Sequence, residues 1–126
     1  MQIVLIRHGQ TPGNALRRYI GRTDEPLSAE GVRALETFGT LPDVRHVFVT
    51  PLCRTQQTAR ILLPCAEQTV LPALREMDFG DFENRSADDM TDSAVYRAWV
   101  EGGCLGCCPR DHVHHLALCT AGDGVF

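Results

Sequence analysis

The sequence predicts an α/β fold with a mostly parallel sheet, and two features support this prediction. The apolar, β-branched run Ile3–Ile6 is typical of a short buried strand. Further along, a strand-like segment at 45–50, a helix-like segment at 54–63 and a strand-like segment at 69–72 follow one another. A strand, a helix and a strand at this spacing form a right-handed βαβ unit, whose two strands run parallel.

The other predicted helices rest on capping residues. Between residues 11 and 19 we expect a loop and then a short helix, since Pro12 is tolerated in a first helical turn. Ser28 is an N-cap candidate for a helix that runs to about residue 40. Ser86 with Asp89 makes a capping-box-like start for a helix to about residue 101. Three apolar side chains there are expected in the core or over the pocket: Met90, Val95 and Trp99.

The triplet Arg7-His8-Gly9 ends the first predicted strand, where open α/β sheets bind their ligands. A neutral imidazole can accept a phosphoryl group near pH 7, and a guanidinium can bind two phosphate oxygens at once. Gly9 lets the backbone turn tightly, while Thr11 and Asn14 can add neutral donors. The triplet therefore indicates a phosphate site, and the alternative is a polar strand end without a function.

Three blocks of the sequence resemble the histidine phosphatase family, also called phosphoglycerate mutase-like. The first block is RHGQTPGNALRRYIGRTDEPLSAEG at 7–31, the second is VTPLCRTQQTA at 49–59, and the third is LREMDFGDFEN at 74–84. The acidic third block and the short spacing are most similar to the small α-ribazole phosphatases of the cobalamin pathway. The resemblance implies a three-layer αβα sandwich with a mostly parallel sheet, C-terminally incomplete in this chain.

The resemblance also implies roles for individual residues. His8 becomes the nucleophile that accepts the phosphoryl group, and Glu76 becomes the general acid that protonates the leaving alcohol. Arg7 and Arg54 become the guanidinium walls of the pocket, and Asn14 becomes a hydrogen-bond donor to phosphate. Four further residues are expected to form a secondary part of the pocket: Gly9, Gln10, Thr11 and Gly21.

Arg54 stands at the start of a predicted helix, where a phosphate would also meet free backbone N–H groups and the positive end of the helix dipole. The alternative for Arg54 is a surface arginine of an amphipathic helix, and the alternative for Glu76 is a solvated loop carboxylate. The three blocks together favour the functional interpretation of both residues.

One residue of the family pattern is replaced in this chain. Family members carry a second histidine, on an H-G dipeptide after a late strand, which helps to stabilise the transferring phosphoryl group. Here the candidate strand is 116–119, and Ala121 stands where that histidine would be. Three histidines precede that strand and do not fit the position: His112, His114 and His115. One such donor is typically worth about a hundredfold to a thousandfold in rate, so we expect low phosphatase activity.

Residues 102–126 differ in composition from the rest and are predicted to form a divergent tail. The run GGCLGCCPRDHVHH has no helical or strand period, which a shifted reading frame or a truncated gene would explain. A zinc site built from Cys104, Cys107, Cys108 and either His112 or His114 is the alternative, although a lone C-x-x-C is weak evidence. The family resemblance implies no metal and no cofactor.

Composition narrows the function classes. The 126 residues are expected to form one domain, family-like over 1–101, with 44% hydrophobic and 22% charged residues as in ordinary soluble proteins. The net charge of −4 argues against a general nucleic-acid or membrane-surface binder. The apolar run after Met1 is too short for a signal peptide, and no segment approaches a membrane span. Six unevenly spaced cysteines fit reduced thiols, so a cytoplasmic location is expected.

Two functions stay open at this point. The first is a metal-independent phosphomonoesterase that works through a phosphohistidine at His8 on a small phosphorylated metabolite, such as α-ribazole phosphate. The second is a relic that binds phosphate through Arg7, Arg54 and Asn14 without turning it over. A mutase ranks below both, because mutases need a longer chain around the pocket. The sequence names neither the alcohol part of the substrate nor the oligomeric state.

Overall fold

The computed structural model describes residues 3–105 and residue 108. Its helices and strands follow the order α1 (Pro12–Ala15), α2 (Ala29–Phe38), β1 (His46–Val49), α3 (Cys53–Leu62), β2 (Glu67–Val70) and α4 (Ala94–Glu101). Three short 3₁₀ turns lie between β2 and α4, at Pro72–Leu74, Gly80–Phe82 and Asp88–Met90.

The two strands confirm the predicted βαβ unit. β1 and β2 are parallel neighbours, with His46 opposite Glu67 and Val49 opposite Val70. α3 connects the strands and packs against β1, and α2 packs against α3. β2 begins two residues before the predicted segment 69–72, because its register is set by β1 and because Pro72 already starts a 3₁₀ turn.

α2 begins as predicted and lies directly beside the loop that carries the Arg7-His8-Gly9 triplet. The Oγ atom of Ser28 accepts a hydrogen bond from the backbone N–H of Gly31 at 3.0 Å and caps the helix. A Cβ atom on Gly31 would overlap the carbonyl oxygen of Gln10. The glycine therefore allows the helix and the loop to approach at backbone distance.

The prediction of a buried strand at Ile3–Ile6 is wrong within the described residues. These four residues are assigned to no strand, and Ile3, Val4 and Leu5 are 74%, 65% and 74% exposed. A strand in which every side chain is apolar is buried only when it has neighbouring strands in the sheet and other elements packed on both of its faces. The described residues do not supply that cover, and they form a two-stranded sheet rather than the whole three-layer sandwich.

The predicted reciprocal bonds between Ser86 and Asp89 form, but they lie at a 3₁₀ turn and not at the start of α4. The backbone N–H of Ser86 donates to Oδ2 of Asp89 at 2.8 Å, and the N–H of Asp89 donates to Oγ of Ser86 at 3.2 Å. This reciprocal pair closes the 3₁₀ turn Asp88–Met90. α4 starts later, where Oγ of Ser93 accepts from the N–H of Tyr96 at 3.2 Å.

A cluster of aromatic side chains joins α4 to the loops before it. Met90 and Trp99 are buried as predicted, whereas Val95 is 56% exposed. Tyr96, the next residue of α4, is buried instead, three positions before Trp99 on the same face of the helix. The buried members of the cluster are Phe82, Met90, Tyr96, Trp99 and Cys108.

Several expectations fall outside the described residues. They are the strand at 116–119, the position of Ala121, and three residues of the possible zinc site, namely Cys107, His112 and His114. Of the proposed thiolate ligands, Cys104 and Cys108 are described, and Cys108 is buried. In the part of the chain that is described, no helix is both long and apolar enough to span a membrane.

Candidate active site

His8 sits at the centre of the candidate site with one ring nitrogen fixed by a hydrogen bond. Its Nδ1 lies 2.7 Å from the carbonyl oxygen of Gly9. Since a carbonyl can only accept, Nδ1 carries the proton in this contact and Nε2 keeps its lone pair. The ring is half-buried. Nε2 is therefore the nitrogen that can attack an electrophile.

The charges around His8 come from all three sequence blocks. Burial is the largest influence and lowers the pKa of His8 below 6.5, and the nearby guanidinium groups of Arg54 and Arg7 lower it further. The Gly9 carbonyl and the Glu76 carboxylate oppose this shift of the pKa. Two predicted phosphate ligands and the predicted general acid thus lie within electrostatic reach of the predicted nucleophile. The imidazole is neutral at pH 7 as a result.

Arg54 is fully buried, which contradicts the alternative of a surface arginine. Its Nη1 donates to the carbonyl of Thr23 at 2.8 Å, and its Nη2 donates to the carbonyl of Gly21 at 2.9 Å. Nη2 also lies 3.5 Å from the carbonyl oxygen of Ile20. Nε is buried and has no hydrogen-bond partner among the described residues. One face of the guanidinium is thus held by backbone, and a buried donor is left for a ligand.

The start of α3 is less open than the sequence suggested. The backbone N–H of Cys53, the first residue of the helix, donates to Oδ1 of Asp24 at 2.7 Å. That carboxylate occupies one of the N–H groups that were expected to meet a phosphate. A carboxylate at a helix N-terminus is favourable because it interacts with the helix dipole.

Asn14 and Thr11 cap α1 through a reciprocal pair of hydrogen bonds. The N–H of Asn14 donates to Oγ1 of Thr11, and the N–H of Thr11 donates to Oδ1 of Asn14, both at 3.2 Å. Thr11 is fully buried and serves the cap rather than a ligand surface. The side-chain oxygen of Asn14 is engaged, so its NH₂ group is the part that can donate to phosphate, in line with its predicted role.

Glu76 lines a cleft of about 190 Å³. Its Oε1 accepts a long hydrogen bond of 3.4 Å from the N–H of Met77, and the side chain is half-buried. Pro51 and Leu52 supply an apolar wall, and Arg22 makes an ion pair of 3.1 Å with Asp78. The residues that line the cleft are Gly21, Arg22, Pro51, Leu52, Arg75 and Glu76.

The glycines of the predicted secondary pocket are used for close packing. A Cβ atom on Gly21 would overlap the carbonyl oxygen of Met77, so this glycine lets the segment that holds Arg54 approach the segment after Glu76. A Cβ atom on Gly9 would lie 2.8 Å from Cδ1 of Leu35 in α2. Gln10 contributes its backbone carbonyl, which accepts from the N–H of Ser28 at 2.9 Å.

Thr58 is a site residue that sequence reasoning missed. Its hydroxyl donates to the carbonyl of Arg54 at 2.7 Å and accepts from the N–H of Gly9 at 3.0 Å. The bond to Gly9 ties the His8 loop to α3 one turn after Arg54. A threonine that donates four residues back in a helix is a common local pattern, so the sequence held no signal of the second bond.

We expect Thr58→Val to lower the free energy of unfolding by about 1 to 2 kcal/mol, since it leaves the Gly9 N–H without its acceptor. Thr37→Val is the matched control, because Thr37 also donates to a carbonyl four residues back but is exposed. The control should change stability by less than about 0.5 kcal/mol. Urea denaturation measures both, and equal effects would mean that the Gly9 contact contributes nothing.

Comparison with known proteins identifies the family. The chain matches the histidine phosphatase superfamily (branch 1) over residues 3–105. It is 41% identical over 97 residues to a protein named "Probable phosphoglycerate mutase GpmB" from Enterobacter sp. (strain 638). That match covers 73% of this chain and 45% of the relative, so the chain spans less than half the length of the curated relatives it resembles.

Two solved structures support the same assignment. The α-ribazole phosphatase from Shigella flexneri superimposes with a TM-score of 0.71 at 34% identity, covering 82% of this chain and 55% of that chain. A phosphoglycerate mutase from Bacillus anthracis str. Sterne gives a TM-score of 0.62 at 32% identity, covering 72% of this chain and 43% of that chain. The family match includes the three blocks that resembled histidine phosphatases in the sequence, and this chain belongs to the histidine phosphatase superfamily, branch 1.

Proposed function

We propose that this chain binds phosphomonoesters and hydrolyses them through a phosphohistidine on His8. The observation that carries the proposal is that the charges of Arg7, Arg54 and Glu76 all act on His8. A neutral imidazole within electrostatic reach of two guanidinium groups is suited to receive a phosphoryl dianion, because the cations offset the incoming charge.

The Arg54 guanidinium supports the proposal through its unpartnered Nε. A buried donor without an acceptor costs about 1 to 3 kcal/mol, and a phosphate oxygen would remove that penalty. Arg7 is exposed, so its guanidinium can move onto a ligand that enters from solvent. We infer that phosphate binds between these two arginines, with the NH₂ group of Asn14 as a neutral donor.

The proposed reaction has two steps. In the first, Nε2 of His8 attacks phosphorus, the bond between phosphorus and the alcohol oxygen breaks, and Glu76 gives its proton to that oxygen. In the second, water attacks the phosphohistidine, Glu76 takes a proton from this water, and phosphate leaves with His8 restored. The Gly9 carbonyl stabilises the imidazole because it holds the Nδ1 proton throughout.

The substrate class is proposed from relatives and from the cleft. The curated relative carries the name of a phosphoglycerate mutase and one solved relative that of an α-ribazole phosphatase. The apolar wall of Pro51 and Leu52 beside Glu76 suits a small alcohol with an apolar part, as in α-ribazole phosphate. Phosphate binding without turnover is the second candidate, favoured by Ala121 at the position of the family's second histidine.

We expect Arg7→Ala to weaken vanadate binding about tenfold to a hundredfold, the usual loss for charge-assisted hydrogen bonds. Isothermal calorimetry measures the dissociation constant, with vanadate as the phosphate mimic. Arg45→Ala is the control, since Arg45 is also exposed but precedes β1, at the opposite end of the strand from α3. If both variants bind vanadate as tightly as the wild type, Arg7 is not part of the pocket.

A further inference from the structure

We propose that Glu83 is a positioning residue that orients Arg54 through the backbone of residues 20–23. The inference rests on the proposed function, because Arg54 is taken as a phosphate ligand. Glu83 belongs to the third sequence block but has none of the roles that the resemblance assigned. Its carboxylate does not touch Arg54, and it acts on the peptide groups that do.

The Glu83 carboxylate accepts four hydrogen bonds from other segments of the chain. Oε1 accepts from the N–H of Gly21 at 2.8 Å, from the N–H of Thr23 at 2.8 Å and from Oγ1 of Thr23 at 2.9 Å. Oε2 accepts from the N–H of Phe79 at 3.3 Å. Three bonds on one oxygen fix both ends of a three-residue segment. A solvated surface carboxylate would make no such set.

The same segment holds the Arg54 guanidinium on its other side. The carbonyls of Gly21 and Thr23 accept from Nη2 and Nη1 at 2.9 and 2.8 Å. Residues 21 and 23 thus donate their N–H groups to an anion and offer their carbonyls to a cation. The peptide groups adjoining these residues are polarised by charges of opposite sign, and hydrogen bonds in such chains strengthen one another.

The Glu83 backbone is itself held in place. Glu83 follows the 3₁₀ turn Gly80–Phe82, and Phe82 is almost fully buried in the aromatic cluster. The N–H of Asn84 donates to the carbonyl of Tyr19 at 2.8 Å. Tyr19 directly precedes the 20–23 segment, whose carbonyls accept from Arg54. The carboxylate is therefore anchored to the aromatic core. Movement of the 20–23 segment would therefore break its hydrogen bonds to Glu83.

The test compares two substitutions of Glu83 that differ in their ability to accept hydrogen bonds. Glu83→Gln keeps an oxygen that can accept the three bonds now made to Oε1, whereas Glu83→Leu accepts none. Glu36→Gln is the control, because Glu36 lies exposed on α2. Calorimetry with vanadate gives the dissociation constant of each variant. Near-ultraviolet circular dichroism and thermal melting check that each variant is folded.

We expect Glu83→Leu to bind vanadate at least about tenfold more weakly than the wild type, and Glu83→Gln to stay within about threefold of it. Glu36→Gln should match the wild type. A folded Glu83→Leu variant with wild-type affinity would overturn the proposal, and so would equal losses in Glu83→Leu and Glu83→Gln. If Glu83→Leu does not fold, Thr23→Val removes only the hydroxyl bond and should weaken binding about twofold to fivefold. Unchanged affinity in Thr23→Val would then overturn the proposal.

A second readout separates this proposal from the proposed function. Arg54 lowers the pKa of His8, so release of Arg54 from its position should raise the pKa that NMR titration measures for His8 in Glu83→Leu. Loss of the Glu83 charge by itself would act in the opposite direction, because removal of an anion destabilises a cation. If the wild type does not bind vanadate, the proposed pocket is wrong, while the His8 titration still tests the role of Glu83. Glu83→Gln loses the same charge but keeps the acceptor, so a pKa of His8 that is no higher in Glu83→Leu than in Glu83→Gln would contradict that role.

Discussion

Replacement of His8 by alanine is expected to abolish phosphoryl capture by this chain. The wild type, incubated with a small activated phosphate donor such as acetyl phosphate, should acquire a phosphate that is labile in acid and stable in base. Nε2 of His8 is the proposed nucleophile because its lone pair is free while Nδ1 bonds to the Gly9 carbonyl, and the guanidinium groups of Arg7 and Arg54 would attract the donor. We expect at least about a thousandfold less label in His8→Ala, because no other group replaces a deleted nucleophile.

Two control variants locate the labelled residue. His46→Ala should keep the full label, since His46 lies in β1 and contacts Thr69 and Glu67 on the surface. His114→Ala should also keep it, because His114 belongs to the divergent tail rather than to the family motif. Label that survives in His8→Ala and is lost in His114→Ala would mean that the chemistry has been assigned to the wrong histidine.

The pH dependence of the labelling rate follows from the shifted pKa of His8. Burial and the two guanidinium groups lower this pKa, so the neutral form persists below pH 6.5, where an unperturbed histidine would already be half protonated. On acidification the rate should therefore reach half of its maximum at a pH below 6.5. A fall that begins well above pH 7 would contradict the environment described for His8.

Gly21→Ala is expected both to destabilise the fold and to disturb the candidate site. The added methyl group would overlap the carbonyl oxygen of Met77, which is backbone and cannot rotate away as a side chain can. We expect a loss of about 3 kcal/mol in the free energy of unfolding, as for overpacking of a closely packed core. The same displacement would move the carbonyl that holds Arg54, so vanadate binding should be lost as well.

Gly102→Ala is the matched control for Gly21→Ala. A Cβ atom on Gly102 would lie 3.4 Å from its nearest neighbours, the carbonyl oxygens of Ala98 and Trp99, which is an ordinary packing distance. The φ angle of Gly102 is −74°, which alanine adopts without strain. Urea denaturation should show a change below about 0.5 kcal/mol for Gly102→Ala. Equal and small effects of both substitutions would show that the approach of Gly21 to Met77 is not required.

Features set by neighbouring residues could be predicted from the sequence. The Ser28 cap needs only the residues of one helical turn, and the βαβ unit needs only a strand period, a helix period and short connections. The family motifs likewise name His8, Arg54 and Glu76 through fixed local patterns. The pKa shift of His8 is consistent with these three residues lying near one another.

Features that depend on distant residues could not be predicted in this way. Ile3–Ile6 has the pattern of a buried strand, yet its burial depends on cover that the described residues do not provide. The Ser86–Asp89 pair has the pattern of a helix start, yet it closes a 3₁₀ turn and leaves α4 to begin at Ser93. In both cases the local pattern is present and the packing around it decides the outcome.

The candidate site also combines features that local sequence patterns predict with features that depend on distant residues. The kinds of residue that could handle a phosphate follow from three motifs. The arrangement of these residues depends on two further side chains. Thr58 joins Gly9 to α3, and Glu83 bonds to the backbone segment whose carbonyls accept from Arg54. These contacts link residues tens of positions apart, so they leave no period and no spacing in the sequence. They form because buried donors and acceptors must find partners once the chain has folded.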